Sequence, residues 1–407
     1  MAVRDVYQVD IELRKPHLHA QALLQTILPA CTVPVAARAP VPLSNGPYVV
    51  YQRSGAEITY LANAQYFAAT ATQPKEIAER HFSEGAAAIR AIRNGEIQVL
   101  DRVNPWELPA LRADKRLVVH AYALPLVHCL IPNMRKPLTA DRAFRRALVY
   151  GIHRQAILDE LLAGAKLPGA RVLSGPFPCG LSAQDPIGYA CDANIKPRDY
   201  DPALAIALPG ARLKEGDEGD SPTFAARKSA AGDGPGKGDS PTFAARKFGQ
   251  SPDVVLGHPP HEIARAACKA IRRHLELVGI PVTLKELPAG TQGPIPAEVD
   301  LLYAELAVWE PLVDARRLLG EDGLAGGCSP QMSLALRQLD QAADWSQACA
   351  QLRRIHRVAH DEVAVIPLWQ LTDHFVCRAG LKGIDSAPIT LYENIEKWQP
   401  GFQYPAD

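Results

Sequence analysis

Between residues 133 and 162 the chain reads NMRKPLTADRAFRRALVYGIHRQAILDELL, and apolar Phe144, Leu148 and Ile152 recur at every fourth position. That spacing predicts an amphipathic helix, with Thr139 placed to cap its first turn and Asp141 where the helix dipole favours an acid. A second pattern through Ala156, Ile157 and Leu161 closes at Gly164, a usual C-terminal stop. Upstream, NGPYVVYQRSGAEITYLANAQYF alternates in a way that predicts strands over 48–52 and 57–61, joined by a turn at Ser54-Gly55. The alanine-rich GAAAIRAIRNGEIQVLD predicts a helix stopped at Asn94-Gly95 and a strand over 97–100, which is β-α-β material. The extended apolar run LVVHAYALPLVHCLIPN then leads directly into the two helical patterns.

Further along, RDYDPALAIAL predicts a helix capped by Asp201 with Pro202 at its first position, cut off at Pro209-Gly210. Residues 253–287 read as strand, long amphipathic helix with a stop at Gly279, and second strand, a βαβ unit whose strands should run parallel. EVDLLYAELAVWEP is an apolar strand ending in Trp309, Glu310 and Pro311. DWSQACAQLRRIHRVAHDEV is helical and precedes the strands AVIPLWQ and HFVCRAGLKGI, before a loop-rich tail containing Trp398. Between these, GDSPTFAARK occurs twice, at Gly219–Lys228 and Gly238–Lys247. Two polar ten-residue copies are too few to stack as a solenoid, so 214–250 reads as a disordered, duplicated surface insertion.

A length of 407 residues favours two or three compact units, and 47% apolar with 22% charged residues places the chain among globular proteins. Lysine plus arginine equals aspartate plus glutamate at 44 each, so no overall charge draws nucleic acid or anionic lipid to it. The N-terminal MAVRDVYQVDIELRKP alternates and carries Asp5, Asp10 and Glu12, which suits a strand and not an export signal. ALLQTILPACTVPVAARAPVPL is broken by four prolines and carries Arg38, a poor membrane span. The eight cysteines lack CxxC spacing. Cys179 and Cys191, bracketing a turn-rich segment, are candidates for a local disulfide, with buried free thiols as the alternative.

In HPPHE, His258 and His261 sit three apart with two prolines between them and Glu262 beside them. A zinc-hydrolase motif needs two histidines one helical turn apart, so the reading preferred here is a helix start, with Pro260 and His261 opening it and Glu262 on its positive end. No GxSxG, Walker loop or dinucleotide fingerprint occurs, and the chain reads as a non-enzyme.

The order of these pieces resembles the extracellular solute-binding protein family 5, the peptide-binding and related receptors of ATP-binding cassette importers. The marks are NGPY, YLANAQYF, NGEIQVLD, NMRKPLTADRAFRRALVYGIHRQAIL, the unit at 253–287 and VAVIPLWQLTDHFVCRAGLKGI, spread over residues 7–385. The resemblance implies a two-lobed α/β fold of the periplasmic-binding-protein type (type II, cluster C), with mixed sheets and a hinge. It would be N-terminally truncated, because family chains are longer at the front. Residues 1–44 would be a remnant of an N-terminal subdomain, 45–125 lobe I, 126–370 lobe II and 371–407 the return to lobe I. The crossings would lie near 122–132 and 368–377.

The implied work is to bind a peptide or similar small polar solute between the lobes and deliver it to a membrane permease. The protein would act as a monomer outside the cytoplasm, without cofactor or metal and without nucleic acid. Peptide-binding members carry an aspartate in the loop corresponding to 305–311, and this chain has none there. Glu310 is the nearest acid and a candidate to pair with a ligand ammonium. Trp309, Trp106 and Trp369 are candidates for cleft walls, with core packing as the alternative for each. Tyr122 and His128 fall on the first crossing strand, where alternation puts them on one side and the resemblance puts that strand at the cleft edge; a hydrogen-bonded, semi-buried histidine is the alternative for His128. Two other readings stay open: a cytosolic ligand-sensing regulatory domain of the same fold, and a remnant that binds nothing.

Overall fold

The computed structural model describes residues 2–4, 9–10, 12–13, 18, 46–180, 188–215, 253–291 and 294–399. Near the N-terminus β1 (Ala2–Val3) pairs antiparallel with β2 (Val9–Asp10). An antiparallel meander follows, of β3 (Tyr48–Ser54), β4 (Glu57–Ala62) and β5 (Glu76–Arg80), its first turn made at Gly55 with a φ of 55°. A second three-stranded sheet has the order β6 (Val99–Val103), β14 (His374–Arg378), β7 (Leu117–Ala121), again antiparallel. Helices α1 (Gly85–Asn94) and α2 (Leu108–Arg112) cover it through Ile92, Leu108 and Leu111, which pack on Val103, Leu117 and Val376. These two sheets and their helices form the smaller lobe. The strands before and after α1 lie in different sheets, so the expected β-α-β run is not one sheet unit.

The larger lobe is built on a six-stranded mixed sheet. Its order is β11 (Val282–Glu286), β10 (Val254–His258), β12 (Leu301–Ala307), β8 (Leu126–Pro132), β13 (Ile366–Leu371), β9 (Arg171–Val172). β10 runs parallel to β11, as the 253–287 pattern predicts, and also to β12, while β8 is antiparallel to both β12 and β13. Every residue of β8 is buried. Alternation splits it cleanly: Leu130 packs on one face with Phe144, Leu148 and Ile152, and Val127, Cys129 and Ile131 pack on the other with Leu336, Leu352 and Ile355. The first face carries α4 (Arg142–Gly151), α5 (Arg154–Leu162) and α7 (Glu262–Leu277). The second carries α8 (Pro311–Leu319), α9 (Pro330–Asp340) and α10 (Trp345–Glu362). Among the described residues no helix is long and apolar enough to cross a membrane.

Several local expectations change. A short helix α3 (Pro137–Ala140) precedes α4, and Asp141, not Thr139, caps α4 by accepting the Ala143 N–H at 2.8 Å. Thr139 is wholly buried, its hydroxyl spent on the Asn133 carbonyl. Helix α6 (Pro202–Glu215) begins at Asp201 as expected, but runs through Pro209-Gly210. A proline inside a helix removes one ladder hydrogen bond, and here it does not end the helix. The GDSPTFAARK copies and the rest of the expected insertion beyond Glu215 lie outside the described residues, as does most of 1–44. The chain passes between the lobes at 122–125, from β7 to β8, and at 372–373, from β13 to β14.

Several buried polar side chains in the larger lobe are held by backbone groups. Arg145 spends its guanidinium on four backbone carbonyls, those of Thr139, Ala140, Glu362 and Val363, and so ties α3 to the end of α10. Cys179 and Cys191 are joined in a disulfide. A loop of that length stabilises the fold by roughly 3 kcal/mol through lost chain entropy. Gln370 fixes one end of the loop by bonding both the N–H and the carbonyl of Cys179. His356 fixes the other, accepting the Asp192 N–H at Nδ1 and meeting the Ser174 hydroxyl at Nε2. Burial pushes the pKa of this imidazole down to about 4.

The His356 ring fills the space in front of Gly175, where any Cβ would overlap it. Gly175→Ala is therefore expected to destabilise the protein by about 2–4 kcal/mol, as overpacking against a ring held by two hydrogen bonds. Urea unfolding midpoints of the two proteins check this.

Candidate functional site

A cavity of about 840 Å³ opens between the lobes. The smaller lobe contributes β5, the start of α1, β6 and the turn at Asn104–Glu107, and the larger lobe contributes the start of α7 from Pro260 to Arg265. Tyr392 and Trp398 from the tail complete the wall. A second groove, of about 720 Å³, runs along α10 beside Cys191–Asn194 and belongs to the larger lobe alone. Of the two, the first is bounded by both sheets' surroundings rather than by one.

Glu262 spans that cavity. Its carboxylate accepts the Gly85 N–H at 3.0 Å and the Asn104 amide at 2.6 Å, so a side chain of the larger lobe satisfies the first amide of α1 in the smaller one. Unpaired N–H groups at a helix start carry partial positive charge, and an anion there is favourable. Glu84, the residue before α1, makes no side-chain cap, so Glu262 takes that place. Gly85 is needed for the approach: a Cβ on it would lie 2.9 Å from Glu262 Oε2. Asn104 is itself held by a capping box with Glu107. Burial, opposed by the Asn104 N–H and reinforced by neighbouring Glu262, raises the Glu107 pKa.

Behind this contact lies a row of buried polar side chains. The register pairs Glu305 on β12 with His128 on β8, and His128 with Trp369 on β13, so the three side chains share one face. His128 Nδ1 meets the Tyr303 hydroxyl at 2.7 Å and Glu305 Oε1 at 3.7 Å; His261, the N-cap of α7, is 3.5 Å from Glu305 Oε2. Three atoms here have no hydrogen-bond partner: Glu305 Oε1, His128 Nε2 and Trp369 Nε1. Burial first, then Asp373, pushes the Glu305 pKa up to about 8 against the pull of Arg102. Burial, with His261 and Arg102 adding, drops His128 to about 3, and burial drops His261 to about 4. At neutral pH the His128–Glu305 contact is therefore a neutral imidazole against a mostly protonated carboxyl and not an ion pair. Asp373, in the second link, rises to about 6 through burial, opposed by Arg102, which lies 3.5 Å away.

The candidate residues named from sequence part company here. His128 and Trp369 lie in the row just described, both without accessible surface. Tyr122 is not on the same strand as His128, so alternation does not relate them; it sits in the first link and donates its hydroxyl to Asp101. Trp106 lies in a single turn of 3-10 helix and packs across the lobe boundary, on the core that includes α5. Trp309 is exposed on the loop after β12. Glu310 caps α8 through the Leu312 N–H and accepts the Tyr189 hydroxyl, which gives its carboxylate a structural role. Sequence reasoning did not single out Glu305, Asp373, Arg102 or Asn104. Glu305 carried a signal: it shares parity with inward Leu301 and Tyr303, a charge on the buried side of a strand. Among the described residues no group of three or more His, Cys, Asp or Glu is arranged to hold a metal ion.

The family model of bacterial extracellular solute-binding proteins, family 5 Middle, matches residues 1–298. Di/tripeptide-binding protein 2 of Pseudomonas aeruginosa is 25% identical over 365 residues, covering 86% of this chain and 60% of that protein. The chain thus spans 60% of that relative's length. Among solved structures, the oligopeptide-binding protein AppA from Bacillus subtilis in complex with a nonapeptide aligns with a TM-score of 0.69 at 16% identity, covering 88% of this chain and 66% of that one. NikZ from Campylobacter jejuni in complex with Ni(L-His) aligns with a TM-score of 0.65 at 16% identity, covering 87% and 68%. At such identities these structures are evidence for the fold alone, which is the two-lobed one.

Two outcomes follow from the geometry. Glu262→Ala removes two hydrogen bonds to a charged group, each worth roughly 1.5–3 kcal/mol, and is expected to open the lobes, seen as a larger radius of gyration in solution scattering. The folded pKa of Glu305 is raised, so its stabilising contribution is full below the ordinary carboxylate pKa and is lost as pH rises toward 8. Glu305→Gln is expected to gain stability on the parent by about 2–4 kcal/mol between pH 5 and pH 9, read from urea midpoints across that range.

Proposed function

The chain belongs to the bacterial extracellular solute-binding proteins, family 5, and we propose that it is the substrate-binding component of an ABC transporter. It takes a peptide or a similar small polar solute between its lobes and presents the closed form to a permease. Residues 45–125 with 371–407 act as one lobe and residues 126–370 as the other, bending at the two links. The observation that carries this reading is the cavity bounded by both lobes, with the links 122–125 and 372–373 beside it. A solute that touches both walls binds the closed form better than the open one and shifts the population by that difference.

Two further features support it. The Glu262 contact supplies part of the closing energy without ligand, so a solute of modest affinity completes the transition. The Cys179–Cys191 disulfide suits an oxidising compartment outside the cytoplasm, where such receptors meet their solutes.

Titration calorimetry of the full chain against di-, tri- and longer peptides and small polar solutes tests the reading, with solution scattering run in parallel. The expected result is saturable heat with at least one solute and a decrease in the radius of gyration on binding. Heat with no compaction, or no binding across the panel, would count against it.

A further inference from the structure

We infer that parting of the lobes is coupled to loss of the proton held by the buried Glu305 carboxyl, so that the protein opens as pH rises above neutrality. This deepens the reading of a receptor that works by closure, and it rests on that reading. Glu305 stands where the two lobes and the second link converge. From the larger lobe, His128 on β8 lies 3.7 Å from one of its oxygens and His261, ahead of α7, lies 3.5 Å from the other. Asp373 from the link and Arg102 from β6 of the smaller lobe are close enough to act on its charge. Tyr303 on its own strand and Cys268 on α7 feel that charge in turn. Asp101 bears on Asp373, and His258 on β10 bears on His261. His261 also lines the interlobe cavity, so Glu305 touches a residue of the cavity wall.

The geometry disfavours a charged carboxylate while the lobes are together. The Glu305 side chain is only 10% exposed, its Oε1 has no hydrogen-bond partner, and both imidazoles stand beyond the usual hydrogen-bond distance. His128 Nδ1 is already engaged by the Tyr303 hydroxyl. A buried carboxylate without donors loses its hydration uncompensated, and a proton removes the charge. Burial is the largest influence on Glu305 and raises its pKa to about 8, with Asp373 adding and Arg102 opposing. Drawing the smaller lobe away admits water, which lowers that pKa, and removes Arg102, which raises it. Burial is the greater of the two, so the proton leaves on opening. The closed form is thus favoured in full below the ordinary carboxylate pKa and loses that advantage as pH rises to about 8, with a fall of about tenfold between pH 7 and pH 9. Burial lowers His128 to about 3 and His261 to about 4 and raises Asp373 to about 6, so above pH 7 these groups keep nearly the same charge in either form.

Hydrogen exchange of the full chain without solute tests this, because the Gly85 amide bonds Glu262 across the lobe boundary and exchanges when the lobes part. Its protection factor, corrected for the intrinsic pH dependence of exchange, is expected to fall about tenfold from pH 7 to pH 9. Leu130, in the buried middle of β8, reports unfolding of the larger lobe and is expected to stay better protected than Gly85 at both pH values. Glu305→Gln has no proton to lose at this position, and its Gly85 protection is expected to be the same at pH 7 and pH 9. Glu305→Met, also neutral and of similar length, repeats the comparison if the glutamine variant does not fold. A purely structural role for Glu305 would move Gly85 and Leu130 together. That result would overturn the coupling, as would Gly85 protection independent of pH in the parent or an equal fall in the neutral variants. Each of these leaves the solute-binding reading standing, since that reading is judged by calorimetry with the solute panel; absence of heat with every solute would bring that reading down instead.

Discussion

The Tyr122 N–H donates to the Asp373 carbonyl at 3.0 Å, and much of the molecule's behaviour depends on that bond. It joins the two places where the chain leaves one lobe for the other. On one side of it Ala121 pairs with His374 in the smaller sheet; on the other, Leu126 pairs with Leu371 in the larger one. Two adjacent antiparallel strands thus run as a continuous ribbon from lobe to lobe, with a few residues in the middle that belong to neither sheet. β8 beyond that short span is packed on both faces, which makes it rigid.

Polar satisfaction is uneven along this ribbon, and the unevenness is informative. Inside the larger lobe Arg145 donates four hydrogen bonds to carbonyls, Gln370 uses both ends of its amide and His356 both ring nitrogens. Arg154 does likewise, donating to the carbonyls of Leu173, Pro367 and Arg198. Near the lobe boundary Glu305, His128 and Trp369 each keep an atom without a partner, as do Arg198, Gln351 and His360 elsewhere in the larger lobe. Native interiors rarely tolerate that, and where they do the group commonly has a second state to satisfy. Burial raises the pKa of both Glu305 and Asp373, to about 8 and about 6, so at neutral pH Glu305 is mostly protonated while Asp373 keeps its contact with Arg102.

Much of the architecture was legible in the chain because it rests on local periodicity. The every-fourth pattern of Phe144, Leu148 and Ile152, the parallel pair around α7 and the αL glycines at 55, 95, 164 and 279 all reappear. What was hidden depends on residues far apart in sequence. Glu262 reads locally as an acid favouring its own helix, and only the fold brings the start of another helix, 177 residues away, to its carboxylate. Glu310 looked free for a ligand because the tyrosine that occupies it stands 121 residues upstream. Pro209-Gly210 looked like a stop because propensity weighs a proline more heavily than the helix that surrounds it here. Glu305 was the one visible exception, an acid on the apolar side of a strand.

Gly85 has a meaning beyond its own turn. With hydrogen in place of a methyl group, the α1 terminus and the Glu262 carboxylate come to rest against each other, and no side chain intervenes to set a wider spacing. One added carbon would crowd the Glu262 carboxylate and push it back from the helix terminus it caps. A residue without a side chain thus lets the two parts of the fold meet through a direct backbone contact.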